Sequence, residues 1–157
     1  LMDDSIKELF ICDNKVISGF IYSKIKLANL KNINIELNIC ASLKKIYTEE
    51  YEIVEILGIL IDNAIEACCK VREKFIIIDI ASDKQHIKIQ IETSSLPIKT
   101  KNNIILTTKK NATFHGLGLK SIKLAIKKYN GHLSISYKNG ITTLIILMDN
   151  PQKQIHS

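Results

Sequence analysis

Glu55-Ile-Leu-Gly-Ile-Leu-Ile-Asp-Asn-Ala-Ile-Glu-Ala67 lies inside a longer stretch, from about residue 49 to residue 72, whose apolar positions recur at helical spacing. Ile53, Leu57, Leu60, Ile61, Ala64, Ile65 and Cys68 keep to one broad stripe, which predicts an amphipathic helix with one buried face. Asp62, Asn63 and Glu66 interrupt the apolar run with an amide and two carboxylates on neighbouring positions of one face. Such a set suits a magnesium ion that keeps several of its waters. From spacing alone, the same three residues also read as the wet side of the helix.

Upstream, residues 13 to 31 predict another helix, capped by Asp13 or Asn14, with Ile17, Phe20, Ile21, Ile25 and Ala28 on its apolar stripe. From Ile33 the period changes to two: Ile33, Ile35, Leu37 and Ile39 alternate with Asn34, Glu36 and Asn38, which predicts a strand with one buried face. Downstream, residues 75 to 81 and 87 to 91 predict two strands joined through Ser82-Asp83-Lys84-Gln85 as a hairpin. Residues 93 to 116 are polar, lysine-bearing and aperiodic, with Pro97 near their start, and read as a long loop of the functional kind. A third helix is expected from Leu117 to Tyr129, stopped by Asn130-Gly131. Strands over 133 to 137 and 141 to 148 flank Asn139-Gly140, a strong hairpin signal. Helices alternating with strand pairs in this order predict an α+β fold, a two-layer sandwich with a mostly antiparallel sheet and helices on one face.

The 157 residues suffice for one domain with a hydrophobic core, and 46% hydrophobic with 24% charged residues excludes a disordered or fibrous chain. The formal net charge of +6 comes from scattered lysines, with Arg72 the one arginine. That distribution argues against a nucleic-acid partner, whose recognition relies on forked arginines and clustered basic patches. Cys12, Cys40, Cys68 and Cys69 match no metal-ligand spacing, and adjacent Cys68 and Cys69 in a helical pattern cannot bond without distortion, so a reducing cytosol is the expected setting. No apolar run approaches the roughly 20 residues of a membrane span, and no signal peptide opens the chain. Leu1 precedes Met2, so the sequence reads as a piece of something longer.

A second informative segment, His115-Gly-Leu-Gly-Leu-Lys-Ser-Ile122, ends the long loop and opens the third helix. Two glycines let a backbone approach a ligand closely, and free N–H groups at a helix start attract phosphate. Alone, a Gly-x-Gly at this place is equally a plain helix-initiating turn.

In this order and at this spacing the two segments resemble the N box and second glycine box of the GHKL ATP-binding domain, shared by histidine kinases, type II topoisomerases, a chaperone family and a mismatch-repair family. The run Thr107-Thr-Lys-Lys110, the stretches from Lys120 to Lys123 and Lys128 to Gly131, and Asp13-Asn-Lys-Val extend the resemblance to peptide-sensing histidine kinases of the accessory-gene-regulator type in Firmicutes. The resemblance implies ATP and Mg2+ as cofactors. By it, Asn63 would hold the magnesium that bridges the phosphates, with Glu66 and Ala67 completing that part of the nucleotide site. Gly116, Leu117, Gly118 and Leu119 would cradle the phosphates, Lys109 and Lys110 would sit in a lid, and His115 could contact the γ-phosphate. Thr142 would lie near the adenine, and Thr93 stands where the family carries an acid or asparagine to read the adenine amino group; a neutral hydroxyl makes a weaker bond.

Hydrolytic members of the family carry a glutamate four residues before the metal-binding asparagine. Here that position is Ile59, which cannot take a proton, so the resemblance points to a kinase. None of His86, His115, His132 and His156 lies in a helix suited to accept phosphate, so the acceptor is expected outside this sequence. The implied protein is the catalytic domain of a two-component sensor histidine kinase in peptide quorum sensing. Residues 1–31 would end an upstream dimerisation or linker region, 32–149 form the ATP-binding domain, and 150–157 form a tail. The implied partners are the phosphoacceptor helix of the same or the paired subunit, a response regulator, and a second copy in a full-length homodimer. The implied location is the cytoplasmic side of a membrane-anchored receptor. The alternative is a degenerate nucleotide-binding or dimerisation module without kinase activity.

Overall fold

The computed structural model describes residues 4–40, 42–43, 46, 48–98, 100–101, 104–105 and 116–150. Among the described residues, four helices and seven strands follow in the order α1 (Asp4–Ile11), α2 (Lys15–Asn29), β1 (Asn34–Cys40), α3 (Glu50–Cys68), β2 (Phe75–Ser82), β3 (His86–Ser94), β4 (Thr100–Lys101), β5 (Ile104–Ile105), α4 (Gly116–Lys127), β6 (His132–Lys138) and β7 (Ile141–Asp149). The main sheet has five strands in the order β1-β2-β3-β7-β6. It is antiparallel except for β1 and β2, which run parallel because α3 carries the chain back between them. The expected α+β sandwich is what forms.

Period-two alternation fixes which face of each strand is buried. Ile35 stands beside Ile76, Ile78 beside Ile91, and Leu144 beside both Ile91 and Ile135, so the inward residues form one continuous apolar surface. α2, α3 and α4 pack on that surface through Ile21, Ile25, Leu57, Leu60, Ile61, Ile122 and Ile126, all buried. Each such isoleucine or leucine contributes about 2 kcal/mol by leaving water. Asp79, Lys88, Gln90 and Glu92 alternate to the opposite face. Leu9 and Cys12, from the end of α1 and just after it, join the same core, and α1 is a helix that the periodicity did not announce.

Local chemistry sets the boundaries. Asn14, rather than Asp13, caps α2: its side-chain oxygen accepts from the Ile17 N–H at 3.0 Å, while its amide nitrogen donates to Glu50 at 2.8 Å. Asp13 instead accepts from the Ser42 hydroxyl. α3 stops at Cys68, where the apolar stripe ends and four residues short of the expected end at residue 72. The β6–β7 turn has Asn139 at φ 49° and Gly140 at φ 81°, the two left-handed residues that match the twist of a tight hairpin. Within the stretch expected to be a loop, Thr93 and Ser94 continue β3, and β4 pairs with β5.

Candidate nucleotide site

α3 and α4 run antiparallel over the sheet and touch at both ends. At one end the first turn of α4 lies directly on α3: a Cβ added at Gly118 would come within 2.8 Å of Ile59 Cγ2 and 3.9 Å of Asn63 Nδ2. Any side chain there would push α4 off α3, so the glycine is what lets the helix start approach the amide. The first-turn N–H groups of α4 have no partner further down their own helix, which makes this end attractive to anions. The two motifs, over 50 residues apart in sequence, therefore meet at one place.

Asn63 is buried, 4% exposed, and its Nδ2 has no hydrogen-bond partner among the described residues. An unpartnered buried amide costs about 1–3 kcal/mol, so its retention at this spot points to a ligand that completes it. Asp62 lies elsewhere. It is exposed and takes an ion pair from Lys24 of α2 at 2.6 Å, and Glu66, half-buried, stands 3.8 Å from Lys70. The single polar face expected for Asp62, Asn63 and Glu66 is thus divided: one residue turns toward α2 and one is buried beside α4. Adjacent helical residues diverge by about 100°, which the spacing argument did not respect. Among the described residues no group of three or more His, Cys, Asp or Glu side chains could hold a metal by itself. A magnesium ion that keeps its waters and shares substrate phosphates needs only one or two protein oxygens, so the Asn63 Oδ1 could serve, while its Nδ2 can only donate a hydrogen bond.

About one helical turn further along α3, a second cluster lies between the helix and the sheet. The Thr93 hydroxyl stands 3.3 Å from the Ala64 and Ser94 carbonyls and 3.0 Å from Cys68 Sγ. Cys68 Sγ also lies 3.2 Å from the Phe75 carbonyl. Thr142, in register with Thr93 on the neighbouring strand, has its hydroxyl 2.7 Å from that of Ser95. Thr93, Thr142 and Ala67 are fully buried. Sequence reasoning selected Thr93, Ala67 and Thr142 but missed Cys68 and Ser95, because a cysteine on an apolar stripe reads as core. The structure places Gly116, Leu117, Gly118 and Leu119 in the first turn of α4, with the Leu119 side chain buried. Lys109, Lys110 and His115 lie outside the described residues, while His86 and His132 are exposed at strand starts.

The far end of the α3–α4 pair carries a buried carboxylate that periodicity gave no reason to single out. Glu52 accepts hydrogen bonds from Lys128 and from the Tyr129 hydroxyl, and the Lys128 ammonium sits 5.1 Å from the Tyr129 ring centroid. Burial alone would raise the Glu52 carboxyl, but the bonds from Lys128 and Tyr129 outweigh it and hold the group below its ordinary value. The bond to Glu52 raises the Lys128 ammonium in turn.

Comparison with known proteins bears on this arrangement. The family model described as the GHKL domain matches residues 48–149. Among curated proteins, none matches the chain. Solved structures do. The histidine kinase AdeS of Acinetobacter baumannii superposes with a TM-score of 0.68 at 20% identity, over 88% of this chain and 64% of that one. A catalytic domain of the histidine kinase ThkA gives 0.69 at 16% identity, covering 88% and 92%. Full-length ShkA in complex with AMPPNP gives 0.66 at 14% identity, over 87% of this chain and 30% of that one. At such identities the likeness is one of fold. The chain spans less than two thirds of AdeS.

Proposed function

This chain belongs to the GHKL family, and from that premise we propose that it is the catalytic domain of a sensor histidine kinase, binding Mg-ATP and giving the γ-phosphate to a histidine on another segment. The observation that carries the reading is the buried Asn63 Nδ2, a donor with no partner among the described residues, facing the glycine-permitted start of α4 where a phosphate oxygen could accept from it. A triphosphate there would meet backbone donors from Gly116 to Leu119 and the Asn63 side chain at once.

Asn63 would hold the magnesium, whose charge when bound offsets that of the phosphates. The first turn of α4 would orient the phosphate chain through its free N–H groups. Ile59, packed under Gly118, supplies no proton acceptor, which favours transfer to a protein side chain over hydrolysis. Catalysis by this domain is positioning and charge neutralisation, with the acceptor histidine brought by the same or a paired subunit. The response regulator, the homodimer, the peptide signal and the membrane-anchored, cytoplasm-facing setting rest on the resemblance in sequence. Among the described residues no helix is long and apolar enough to cross a membrane.

A binding module without catalysis is the second reading, favoured by one observation: the Thr93 hydroxyl already has partners within the chain. Calorimetry with Mg-ATP tests whether nucleotide binds at all, and transfer of label from ATP to a supplied acceptor-histidine segment separates the kinase from a module that binds without catalysis. The chain should bind Mg-ATP and require the metal, and Asn63→Ala should weaken binding by about 100-fold or more, beyond the 10–100-fold typical of an outer-shell partner. The variant should keep its fold, because the lost amide nitrogen has no partner among the described residues. A folded Asn63→Ala protein with unchanged affinity would remove Asn63 from the site, and absence of any ATP binding would leave only the module.

A further inference from the structure

The two edge strands of the main sheet differ. At one edge, β1 has both α1 and α2 packed against it. At the other, among the described residues, β6 meets chiefly β7 and α4. An open edge presents a row of unpaired N–H and C=O groups, which proteins usually blunt with proline, a bulge or a charge within the strand. β6 has none of these. It pairs with β7 in one unbroken register from His132 to Lys138, contains no proline, and has its one lysine at the last position.

Beside the start of this edge lies a groove of about 490 Å³, lined among others by Ile126, Leu133, Leu147, Lys123, Lys127 and His132. Its walls are apolar and its rim is cationic. From Gly116 to Lys138 the chain has five lysines and no carboxylate. Lys128 is paired with Glu52, whereas Lys123 and Lys127 are exposed and have no ion pair among the described residues. A second copy of this chain would set those lysines against their own kind, and a nucleic acid has no peptide backbone with which to continue a sheet. An extended peptide that carries carboxylates fits the edge, the walls and the unmatched cations together.

We propose that β6 is a docking edge for an extended acidic peptide, which adds a sixth strand to the sheet, seats an aliphatic side chain against Ile126 and Leu133, and places carboxylates beside Lys123 and Lys127. Nothing in this depends on the nucleotide reading.

The test titrates the intact chain with an end-blocked peptide, Glu-Glu-Val-Val-Glu-Glu-Val, which shows carboxylates and valine on both faces of a strand. Saturable binding is expected, with the β6 amides gaining protection from hydrogen exchange. The same peptide with lysine for glutamate, and the same peptide N-methylated throughout, should each bind at least about tenfold more weakly, one having lost its charge and the other its strand pairing. The double variant Lys123→Glu, Lys127→Glu, at exposed positions that leave the fold intact, should weaken binding by about tenfold or more. No binding up to about 1 mM overturns the proposal. Equal binding of the N-methylated peptide also overturns it, since the face would then be a lysine surface that attracts any anion. Full affinity in the double variant, or protection gained away from β6, counts against it in the same way. A chain that sediments as a dimer with β6 already protected would assign the edge to a second copy instead.

Discussion

Where α3 begins, the buried carboxylate of Glu52 has Lys128 and Tyr129 as donors; eleven residues on, at the opposite end of the same helix pair, the buried amide of Asn63 faces Gly118 with its nitrogen unpartnered among the described residues. Both are polar groups sunk into an apolar stripe, and burying either is costly. One cost is met inside the chain and the other is left open. Groups whose partners are internal hold a fold together, while a buried group without one among the described residues is the place where a ligand would add most. The tether at Glu52 secures the C-terminal end of α4, and so holds the helix against α3 without intruding on its other end.

This contrast can be broken most directly at Gly118. Gly118→Ala puts a methyl 2.8 Å from Ile59 Cγ2, so the start of α4 must lift, and Mg-ATP affinity should fall by more than tenfold in titration. Adding Ile59→Ala removes the obstructing carbon and should restore a good part of the binding. If the double variant binds no better than Gly118→Ala, contact between the two helices is not what the glycine protects.

Glu52→Gln should act in the opposite sense, on stability and hardly on binding. Loss of hydrogen bonds to a buried charge costs about 2 kcal/mol, which for a chain of this size lowers the melting temperature by roughly 4–8 °C. Mg-ATP affinity measured well below the melting temperature should move less than threefold; a larger fall would mean that the two ends are coupled. The pH dependence follows from the direction of the shifts. Glu52 is lowered, so its stabilisation is present above the ordinary glutamate value of about 4.3 and is lost as pH falls through the folded value. Lys128 is raised, so its share is full below about 10.4 and is lost as pH rises through its folded value. The gap in stability between the parent and Glu52→Gln should therefore be flat near neutrality and close in acid. A gap that persists at pH 2 would show that packing, not charge, is responsible.

The smallest effect is expected at Asp62. Its pair with Lys24 is exposed on the carboxylate side, and such pairs contribute under about 1 kcal/mol. Asp62→Asn should leave Mg-ATP binding unchanged and shift melting by a few degrees at most. A lost magnesium requirement in this variant would return Asp62 to the metal site that the structure separates it from.

The layers of the fold were legible because hydrophobic period maps directly onto faces. The stripe from Ile53 to Cys68 and the alternation around Ile35, Ile78 and Ile89 each name a buried side without reference to any other segment. Asn139-Gly140 was legible for a similar reason, since left-handed backbone is a property of the residue itself. α1 was not, because eight residues are too few to establish a helical period by themselves, and the helix forms where β1 at the sheet edge receives it and Leu9 is buried.

The two motifs and their residue types were in the sequence, and so was the absence of a proton acceptor at Ile59. What tertiary structure alone decided is which of the polar residues of α3 faces the start of α4, and with what around it. Asp62 goes to Lys24, Asn63 to Gly118, and Thr93 to Cys68 and Ala64, partners between 25 and 55 residues distant. Sequence carries the chemistry of each side chain and its rotation about its own helix or strand. Whether a polar group is left wanting depends on what the rest of the chain packs against it, and that is a property of contacts no local period encodes.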